Sequence, residues 1–211
     1  MMRLHSYWRS TAAYRVRIGL NLKGLAYEQV THDLRVGAQA SDAYASINPQ
    51  KLIPSLEANG LVLTQSLPIL EWLEETHPEP PLLPRAAGDR AVVRAMAAMV
   101  AADIHPLNNL RVLAELRGAF SADEAQVSGW IAHWIGAGFS ALETMIERHG
   151  GRFAFGDTPT LADCCLVPQA YSAERFAVDL AAYPRLVAAV QAARSLEAFA
   201  AAHPSRQPDA D

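Results

Sequence analysis

A proline-rich stretch at residues 78–84 separates two parts of the chain whose apolar residues recur with different periods. Before this stretch, short apolar runs that suit β-strands alternate with helical patterns. After residue 88 every pattern is helical. Because proline ends a helix and stiffens a linker, we expect the stretch to join two domains. The predicted domains are an α/β domain at residues 1–80 and an all-helical domain at residues 88–211.

The first part alternates between strand and helix and ends with a hairpin followed by a helix. Asn59-Gly60 lies between two short apolar runs, and this dipeptide is a strong signal for a tight hairpin turn. The predicted strands cover residues 2–8, 27–32, 55–58 and 61–64, and the predicted helices cover 12–23, 41–46 and 66–76. The resulting order, βαβαββα, is typical of an α/β domain.

The second part consists of amphipathic helices. Apolar residues recur at helical spacing in two long segments, marked by Val92, Met96, Met99 and Val100 and by Val127, Ile131, Trp134, Leu142 and Met145. Thr160-Leu161-Ala162-Asp163 has the form of a capping box and opens a buried helix through Val167. A further short helix begins at Tyr183-Pro184, and residues 204–211 are predicted to form a polar tail.

Composition and residue spacing argue against nucleic-acid binding, a membrane span and a metal site. Hydrophobic residues make up 51% and charged residues 19% of the 211 positions, as in a globular protein. A formal net charge of -4 gives no overall basic field for nucleic acid. Arg94, Asp103 and His105 interrupt the most alanine-rich windows, so we expect no membrane-spanning helix. The histidines are scattered without the spacing of metal ligands. Two adjacent cysteines, Cys164 and Cys165, are poorly placed for a disulfide with each other, so we expect a cytoplasmic protein.

The start of the first helix combines a capping residue with an unusual concentration of positive charge. Ser10 or Thr11 can cap this helix, whose first N–H groups attract an anion. Arg9, Arg15 and Arg17 lie in the same segment, where cations are normally unfavourable. Taken alone, Ser10-Thr11 is a plain cap. Together with the arginines it predicts a bound carboxylate, phosphate or thiolate.

Two further features of the first part suit an anionic, extended ligand. Ser66 is a cap by default, but Gln65 beside the N–H groups of the next helix also makes a second carboxylate socket. Ile53-Pro54 precedes a strand, and a cis bond there would leave the backbone groups of residue 53 available, although most X-Pro bonds are trans. Two anion-binding helix starts and an extended edge in one domain favour an anionic peptide as the ligand.

The helical part has one polar interruption, at Asp103-Ile104-His105-Pro106-Leu107-Asn108-Asn109-Leu110-Arg111. Because proline inside a helix requires a bend, we expect the helix to kink there. The polar residues of the kink either face solvent or form a polar wall that faces the first domain. Arg175 is either an ordinary partner of Glu174 or Asp179 or a further cation of the site.

The segments described so far resemble zeta-class glutathione transferases, the group that includes maleylacetoacetate and maleylpyruvate isomerases. The resemblance covers nearly the whole chain. It rests on Tyr7-Trp8-Arg9-Ser10, Arg15-Val16-Arg17-Ile18, Asn48-Pro49 through Ile53-Pro54, Gln65-Ser66, His105-Pro106-Leu107-Asn108-Asn109, Thr160-Leu161-Ala162-Asp163-Cys164, Leu166-Val167-Pro168-Gln169, Ala173-Glu174-Arg175-Phe176 and Arg206-Gln207-Pro208-Asp209. The resemblance implies a thioredoxin-like N-terminal domain, an all-α C-terminal domain, a homodimer, and a cis-proline at Pro54.

The resemblance also implies a site for glutathione and a site for a small dicarboxylate. The residues implied for glutathione are Ser10, Thr11, Gln39, Ile53, Gln65, Ser66, His105 and Asn109. The residues implied for the substrate carboxylates, which guanidinium groups bind bidentately, are Arg9, Arg111 and Arg175. Ser10-Thr11-Ala12 stands where many zeta members have Ser-Ser-Cys, which excludes a mechanism that needs a cysteine there. The implied catalytic residues are Ser10 or Thr11, which stabilise the thiolate, and Arg9. An arginine at position 111 resembles maleylpyruvate isomerases and favours maleylpyruvate over maleylacetoacetate.

The implied reaction is a glutathione-dependent cis–trans isomerisation in the catabolism of aromatic compounds. The thiolate adds to the cis double bond of a maleyl keto-diacid, the new single bond rotates, and expulsion of the thiolate gives the fumaryl isomer. Two alternatives remain open at this point. The same arginines suit conjugation or dehalogenation of small 2-halo acids, and the same fold suits a non-catalytic interaction module.

Overall fold

The computed structural model describes residues 1–211, whose contacts divide the chain into two compact units. The first unit comprises Met1–Leu82 together with Arg194–Asp211, and the second comprises Leu83–Ala193. The proline-rich stretch therefore ends close to the start of the second unit. The last residues of the chain group with the first unit, whereas the sequence pattern assigned residues 88–211 to one helical domain.

The first unit is built on a four-stranded mixed sheet in the order β2-β1-β3-β4. The strands are β1 Met2–Ser6, β2 Tyr27–Thr31, β3 Ser55–Ala58 and β4 Leu61–Thr64. β1 runs parallel to β2 and antiparallel to β3. β3 and β4 form the predicted hairpin, and its turn residues Asn59 and Gly60 both have positive φ, as a tight hairpin turn requires. The four strands confirm the sequence prediction, except that β1 ends at Ser6 rather than at residue 8.

Nine α-helices complete the structure. They are α1 Thr11–Leu22, α2 Asp42–Ile47, α3 Ser66–Thr76, α4 Ala87–Ala98, α5 Leu110–Gly118, α6 Glu124–His149, α7 Leu161–Arg175, α8 Pro184–Arg194 and α9 Glu197–Ala202. The first three and α9 belong to the first unit, and α4 to α7 belong to the second. No helix is both long and apolar enough to cross a membrane.

Helix α1 is the central helix of the first unit and contacts both α3 and α9. It approaches α3 closely because Gly19 has no side chain, and a methyl group there would collide with Leu70. Just after α1 the buried Lys23 ammonium lies 2.6 Å from a Glu74 carboxylate oxygen and 2.7 Å from the Pro80 carbonyl oxygen. The same carboxylate accepts a hydrogen bond from the Leu82 amide at 2.8 Å. The proline-rich stretch is thus fastened to α1 and α3 rather than left as an exposed linker.

The end of the chain corrects one prediction, because residues 204–211 are a docked segment rather than a polar tail. Helix α9 lies on α1, where the Asn21 amide donates to the Ala198 carbonyl at 2.9 Å. After α9, Pro204 and Gln207 are buried. The Gln207 amide donates to two backbone carbonyls upstream, at 3.0 and 2.8 Å, which folds the segment back onto the helix. A polar composition concealed this docking, because the buried polar atoms are satisfied by main-chain partners.

The second unit is helical, as predicted, and α4 packs against α7. Helix α4 continues as a π-helical turn at Met99–Ile104, and a 3-10 turn follows at His105–Asn108 before α5 begins. Pro106 lies within the first two residues of the 3-10 turn, where its missing N–H costs little. The predicted kink is therefore confirmed, and it takes the form of two successive changes of helical pitch.

Helix α7 begins at the predicted capping box. The Asp163 carboxylate accepts hydrogen bonds from the Thr160 amide at 2.8 Å, the Thr160 hydroxyl at 3.1 Å and the Ala154 amide at 2.9 Å. The helix extends through Pro168 to Arg175, well beyond Val167. It tolerates the missing proline N–H because twelve of its fifteen residues are buried, so that tertiary packing outweighs one lost backbone hydrogen bond.

Candidate active site

Ser10 caps α1 at the point where the loop after β1 enters the helix. Its Oγ accepts a hydrogen bond from the Ala13 amide at 3.2 Å, which confirms a predicted capping residue. Because Oγ is the acceptor in that bond, its hydroxyl hydrogen remains able to donate to a ligand. Ser10 is half-buried, whereas Thr11 is only 7% exposed and lies inside the helix. Ser10 is therefore the more accessible of the two hydroxyl groups.

Two of the three arginines that were predicted to attract an anion to this segment are buried and bind oxygens of the fold. Arg17 is fully buried, and its guanidinium donates to the Ser6 hydroxyl at 3.1 Å, the Trp8 carbonyl at 3.0 Å and the Ala202 carbonyl at 3.1 Å. Arg15 is also buried and donates to Ser66 Oγ at 3.1 Å. Both guanidinium groups therefore donate hydrogen bonds to oxygens within the protein. The spacing of residues along one helix did not indicate these partners.

The start of α3 differs from the expected cap. Gln65, not Ser66, is the N-cap residue, and no side chain caps this helix end. Ser66 instead receives the hydrogen bond from Arg15. Gln65 has a φ of 67°, which is rare for a residue other than glycine, and such strained backbone is concentrated at ligand-binding sites. Since Pro68 has no N–H, the N–H groups at this helix start come from Ser66 and Leu67.

Ile53 presents main-chain polar groups beside the β1–α1 loop. The Ile53-Pro54 peptide bond is cis. Ile53 lies immediately before β3, and its N–H and C=O take no part in the pairing of the sheet. Its side chain packs in one apolar cluster with Tyr7, Trp8 and Tyr44. The geometry leaves an edge of backbone next to the loop that carries Ser10.

Arg9 and Gln39 supply further polar groups in the first unit. The Arg9 guanidinium lies 4.9 Å from the ring centroid of Trp8, and the residue is half-buried. Hydrogen bonds from Arg35 lower the pKa of Asp33, and the charge of Arg9 adds to that effect. Gln39 lies in a 3-10 turn, and its Oε1 is buried without a hydrogen-bond partner. Because unsatisfied buried acceptors are costly, this oxygen suits an N–H donor on a ligand.

The remaining predicted site residues belong to the second unit. His105 begins the 3-10 turn of the kink, and Asn109 caps α5 by accepting a hydrogen bond from the Arg111 amide at 3.2 Å. Arg111 is exposed. Arg175 is the last residue of α7, and its guanidinium lies 4.6 Å from the ring centroid of Phe176. His105, Asn109 and Arg111 therefore lie in the kink or directly after it.

One residue that supports the site was missed from the sequence, and another was noticed but assigned to a bound anion. Trp130 on α6 donates its indole N–H to the Leu107 carbonyl at 2.8 Å and so fixes the kink. In sequence, Trp130 is only one more apolar residue on an amphipathic helix. Arg15, which holds Ser66, offered a weak signal, because a cation among the buried residues of α1 needs a polar partner within the fold.

Both parts of the chain match known protein families. Residues 4–81 match the family described as "Glutathione S-transferase, N-terminal domain", and residues 111–192 match "Glutathione S-transferase, C-terminal domain". A maleylpyruvate isomerase from Ralstonia sp is 50% identical over 210 residues, which cover 99% of each chain.

Solved structures agree with these matches. One, described as a holo structure of maleylpyruvate isomerase, "a bacterial glutathione-s-transferase in Zeta class", has a TM-score of 0.97 and 49% identity over 99% of this chain and 100% of that chain. A maleylacetoacetate isomerase from Anaeromyxobacter dehalogenans, with dicarboxyethyl glutathione and citrate bound in its active site, has a TM-score of 0.90 and 47% identity over 100% of this chain and 98% of that one. The chain belongs to the glutathione S-transferase family, and within it to the zeta class.

Proposed function

We propose that this chain catalyses the glutathione-dependent cis–trans isomerisation of a maleyl keto-diacid, maleylpyruvate in preference to maleylacetoacetate, to its fumaryl isomer. The observation that carries the proposal is the Ser10 hydroxyl, which is half-buried at a helix start with no acidic residue in its first turn and is able to donate to a sulfur. Relatives at about half identity over the full length that bear the names of such isomerases support the reaction type.

The residues of the first unit fit glutathione, a tripeptide with a thiol and two carboxylates. The uncapped start of α3 at Gln65 and Ser66 suits a carboxylate, because unpaired helix N–H groups attract anions. The backbone edge at Ile53 suits the pairing of an extended peptide. The buried Gln39 Oε1 suits an N–H donor of the tripeptide. We propose the same ligand for Thr11, His105 and Asn109.

Bound glutathione supplies a thiolate nucleophile whose reversible addition to the cis double bond permits rotation about it. Ser10 holds that sulfur in its charged form by donating its hydroxyl hydrogen, since a hydrogen bond to the anion lowers a thiol pKa. The N-terminal end of α1 acts in the same direction through the partial positive charge of its N–H groups. Thr11 is the reserve donor.

Arg9, Arg111 and Arg175 bind the carboxylates of the substrate and stabilise the negative charge that develops on its carbonyl oxygen. A guanidinium group suits both tasks because it offers paired donors and stays charged at every relevant pH. The Arg111 side chain is exposed, and no partner within the chain holds its guanidinium. It is therefore available to an anion in solution.

The direct test of the function follows the loss of maleylpyruvate and of maleylacetoacetate by ultraviolet absorbance, each with and without glutathione. We expect isomerisation that depends on glutathione, and a faster reaction with maleylpyruvate. Comparable rates without the tripeptide would overturn the assignment of glutathione as cofactor. Binding of glutathione without isomerisation of either substrate would instead favour another transferase reaction or an interaction module.

Removal of the Arg111 guanidinium should weaken catalysis strongly. We expect Arg111→Ala to lower kcat/KM for maleylpyruvate about a hundredfold, the usual loss for one well-placed charge-stabilising donor. Steady-state kinetics at saturating glutathione measure this. Arg117→Ala is the matched control, because Arg117 lies on the same helix and pairs at the surface with Glu124 at 2.6 Å. Equal, small effects of the two substitutions would refute the role of Arg111.

We also propose a homodimer in the cytoplasm. The edge strand β4 exposes Leu61 and Val62 at 52% and 46%, an apolar surface of the kind that a second copy covers. Cys164 and Cys165 are both buried thiols, as suits a reducing compartment. Sedimentation equilibrium measures the oligomeric state. A monomer at micromolar concentration would contradict the proposed homodimer.

A further inference from the structure

The last residues of the chain reach back to the loop that carries Ser10. One oxygen of the Asp209 carboxylate accepts a hydrogen bond from the Trp8 amide at 2.9 Å, and the other accepts one from Gln29 Nε2 at 3.0 Å. Gln29 lies on β2, so a single carboxylate joins the loop to the sheet. Ala210 packs against the apolar cluster that contains Trp8 and Ile53. The C-terminal segment therefore contacts this loop through hydrogen bonds of Asp209 and through apolar packing of Ala210.

The backbone of Tyr7 and Trp8 is also held by a positive charge. The Arg17 guanidinium donates to the Trp8 carbonyl at 3.0 Å and to the Tyr7 carbonyl at 3.4 Å. Trp8 thus has its N–H bound to a carboxylate and its C=O bound to a guanidinium. Hydrogen bonds to charged partners are roughly twice as strong as neutral ones. Arg9 and Ser10 follow directly, so their positions depend on a main chain that is fixed immediately before them.

We propose that Asp209 is a positioning residue for Ser10 and Arg9. The inference rests on the proposed function, because it assigns to Asp209 the task of fixing the hydroxyl that meets the glutathione sulfur. Catalytic groups must be held within about 0.5 Å of their productive position, and a misplacement of about 1 Å costs about a hundredfold in rate. Asp209 performs this task although it lies 201 residues from Trp8 in sequence.

Asp209→Asn tests the proposal with little change in shape. The amide keeps one acceptor oxygen, so it loses one of the two hydrogen bonds and the charge that strengthens both. We expect faster amide hydrogen exchange at Trp8 in the glutathione-free protein, by about tenfold or more. We further expect kcat for maleylpyruvate to fall about tenfold, while KM for glutathione changes less than about twofold. Gln29→Leu removes the second partner of the carboxylate and should act in the same direction, but more weakly.

The direction in which Asp209→Asn shifts the pKa of the glutathione thiol distinguishes a positioning role from a direct electrostatic effect of the Asp209 charge. The pKa of the thiol of bound glutathione is read from the ultraviolet absorbance of the thiolate. Displacement of the Ser10 hydroxyl raises this pKa, because the thiolate loses a hydrogen bond. Loss of the negative charge at position 209 would by itself lower it. Asp211→Asn is the matched control, since Asp211 pairs only at the surface with Arg35 and should leave every readout unchanged.

The outcomes of these experiments are distinct. Wild-type exchange at Trp8 with an unchanged or lowered thiol pKa in Asp209→Asn would overturn the positioning role, and the proposed function would stand. If the wild-type protein isomerises neither maleyl substrate, the proposed function fails. The exchange rate and the thiol titration, neither of which needs turnover, then still decide whether Asp209 positions the loop.

Discussion

Replacing Ser10 by alanine is expected to lower kcat for maleylpyruvate by about 10²–10³-fold, because the donor that stabilises the thiolate is lost. The pKa of the bound glutathione thiol should rise toward that of free thiol. Ser10 is the best-placed donor in the first unit: its Oγ accepts from the Ala13 amide, and its hydrogen is left for the ligand. Steady-state kinetics and an ultraviolet titration of bound glutathione measure the two effects independently.

Two further variants separate this role from the capping role of Ser10. Alanine at an N-cap position costs about 1 kcal/mol of stability, whereas glycine costs only a few tenths. Ser10→Gly should therefore keep most of the stability but lose as much activity as Ser10→Ala. Ser10→Thr restores a hydroxyl and should recover much of the rate. If Thr11→Val were the more damaging substitution, the buried Thr11 rather than Ser10 would be the donor, and the assignment would have to be reversed.

Asp163→Ala is expected to reduce the free energy of unfolding by about 2–4 kcal/mol, because it leaves two buried amides and a hydroxyl without their acceptor. The two amides belong to Thr160 and Ala154, so the loss frees both the start of α7 and the bend at Ala154 that precedes it. Asp123→Ala is the matched control. Asp123 completes a capping box at the exposed start of α6 and should cost only about 1 kcal/mol. Denaturation by urea measures both.

The contribution of Asp163 to stability should also depend on pH and should decrease as the pH rises. Burial raises the pKa of the Asp163 carboxyl from 3.8 to about 6, although hydrogen bonds from Ala154 and Thr160 act against the rise. The folded chain therefore holds the proton more tightly than the unfolded chain. Its contribution to stability is fully present below the unfolded pKa of 3.8 and is lost as the pH rises through about 6.

Comparison with Asp163→Asn isolates that contribution, since all other titrating groups are shared. We expect the wild-type protein to gain stability relative to the variant as the pH is lowered from about 8 to about 4, by at most about 3 kcal/mol. Unfolding free energies of both proteins across that range provide the measurement. A difference that stays constant with pH would show that Asp163 does not titrate in this window.

Features of both units could be predicted where local sequence signals agree with the fold. Asn59-Gly60 marked the hairpin, and the four predicted strands are present. The kink at Pro106 and the capping box at Thr160 were also evident, since each depends on residues a few positions apart. Local sequence specifies such features directly.

What could not be predicted depends on partners that are distant in the chain. Serine is a common N-cap residue, but the Ser66 hydroxyl accepts a hydrogen bond from Arg15 instead. Gln65 takes the N-cap position, with a strained backbone. Arg17 resembled part of an anion site, but its partners are the Ser6 hydroxyl and backbone carbonyl oxygens, one of them on Ala202. Spacing along one helix contains no information on contacts of that range. The same reason concealed the docking of Asp209 on the loop after β1.

The first unit is discontinuous in sequence, and this bears on how it is made. Helix α1 and the guanidinium of Arg17 are covered by α9, more than 170 residues downstream. On a ribosome, the early strands and helices emerge first, but the surface that α9 occupies stays open to water until α9 itself has been synthesised. The helices α4 to α7 of the second unit are therefore synthesised before α9 can complete the first unit. The unit whose synthesis begins first is thus the last to be completed.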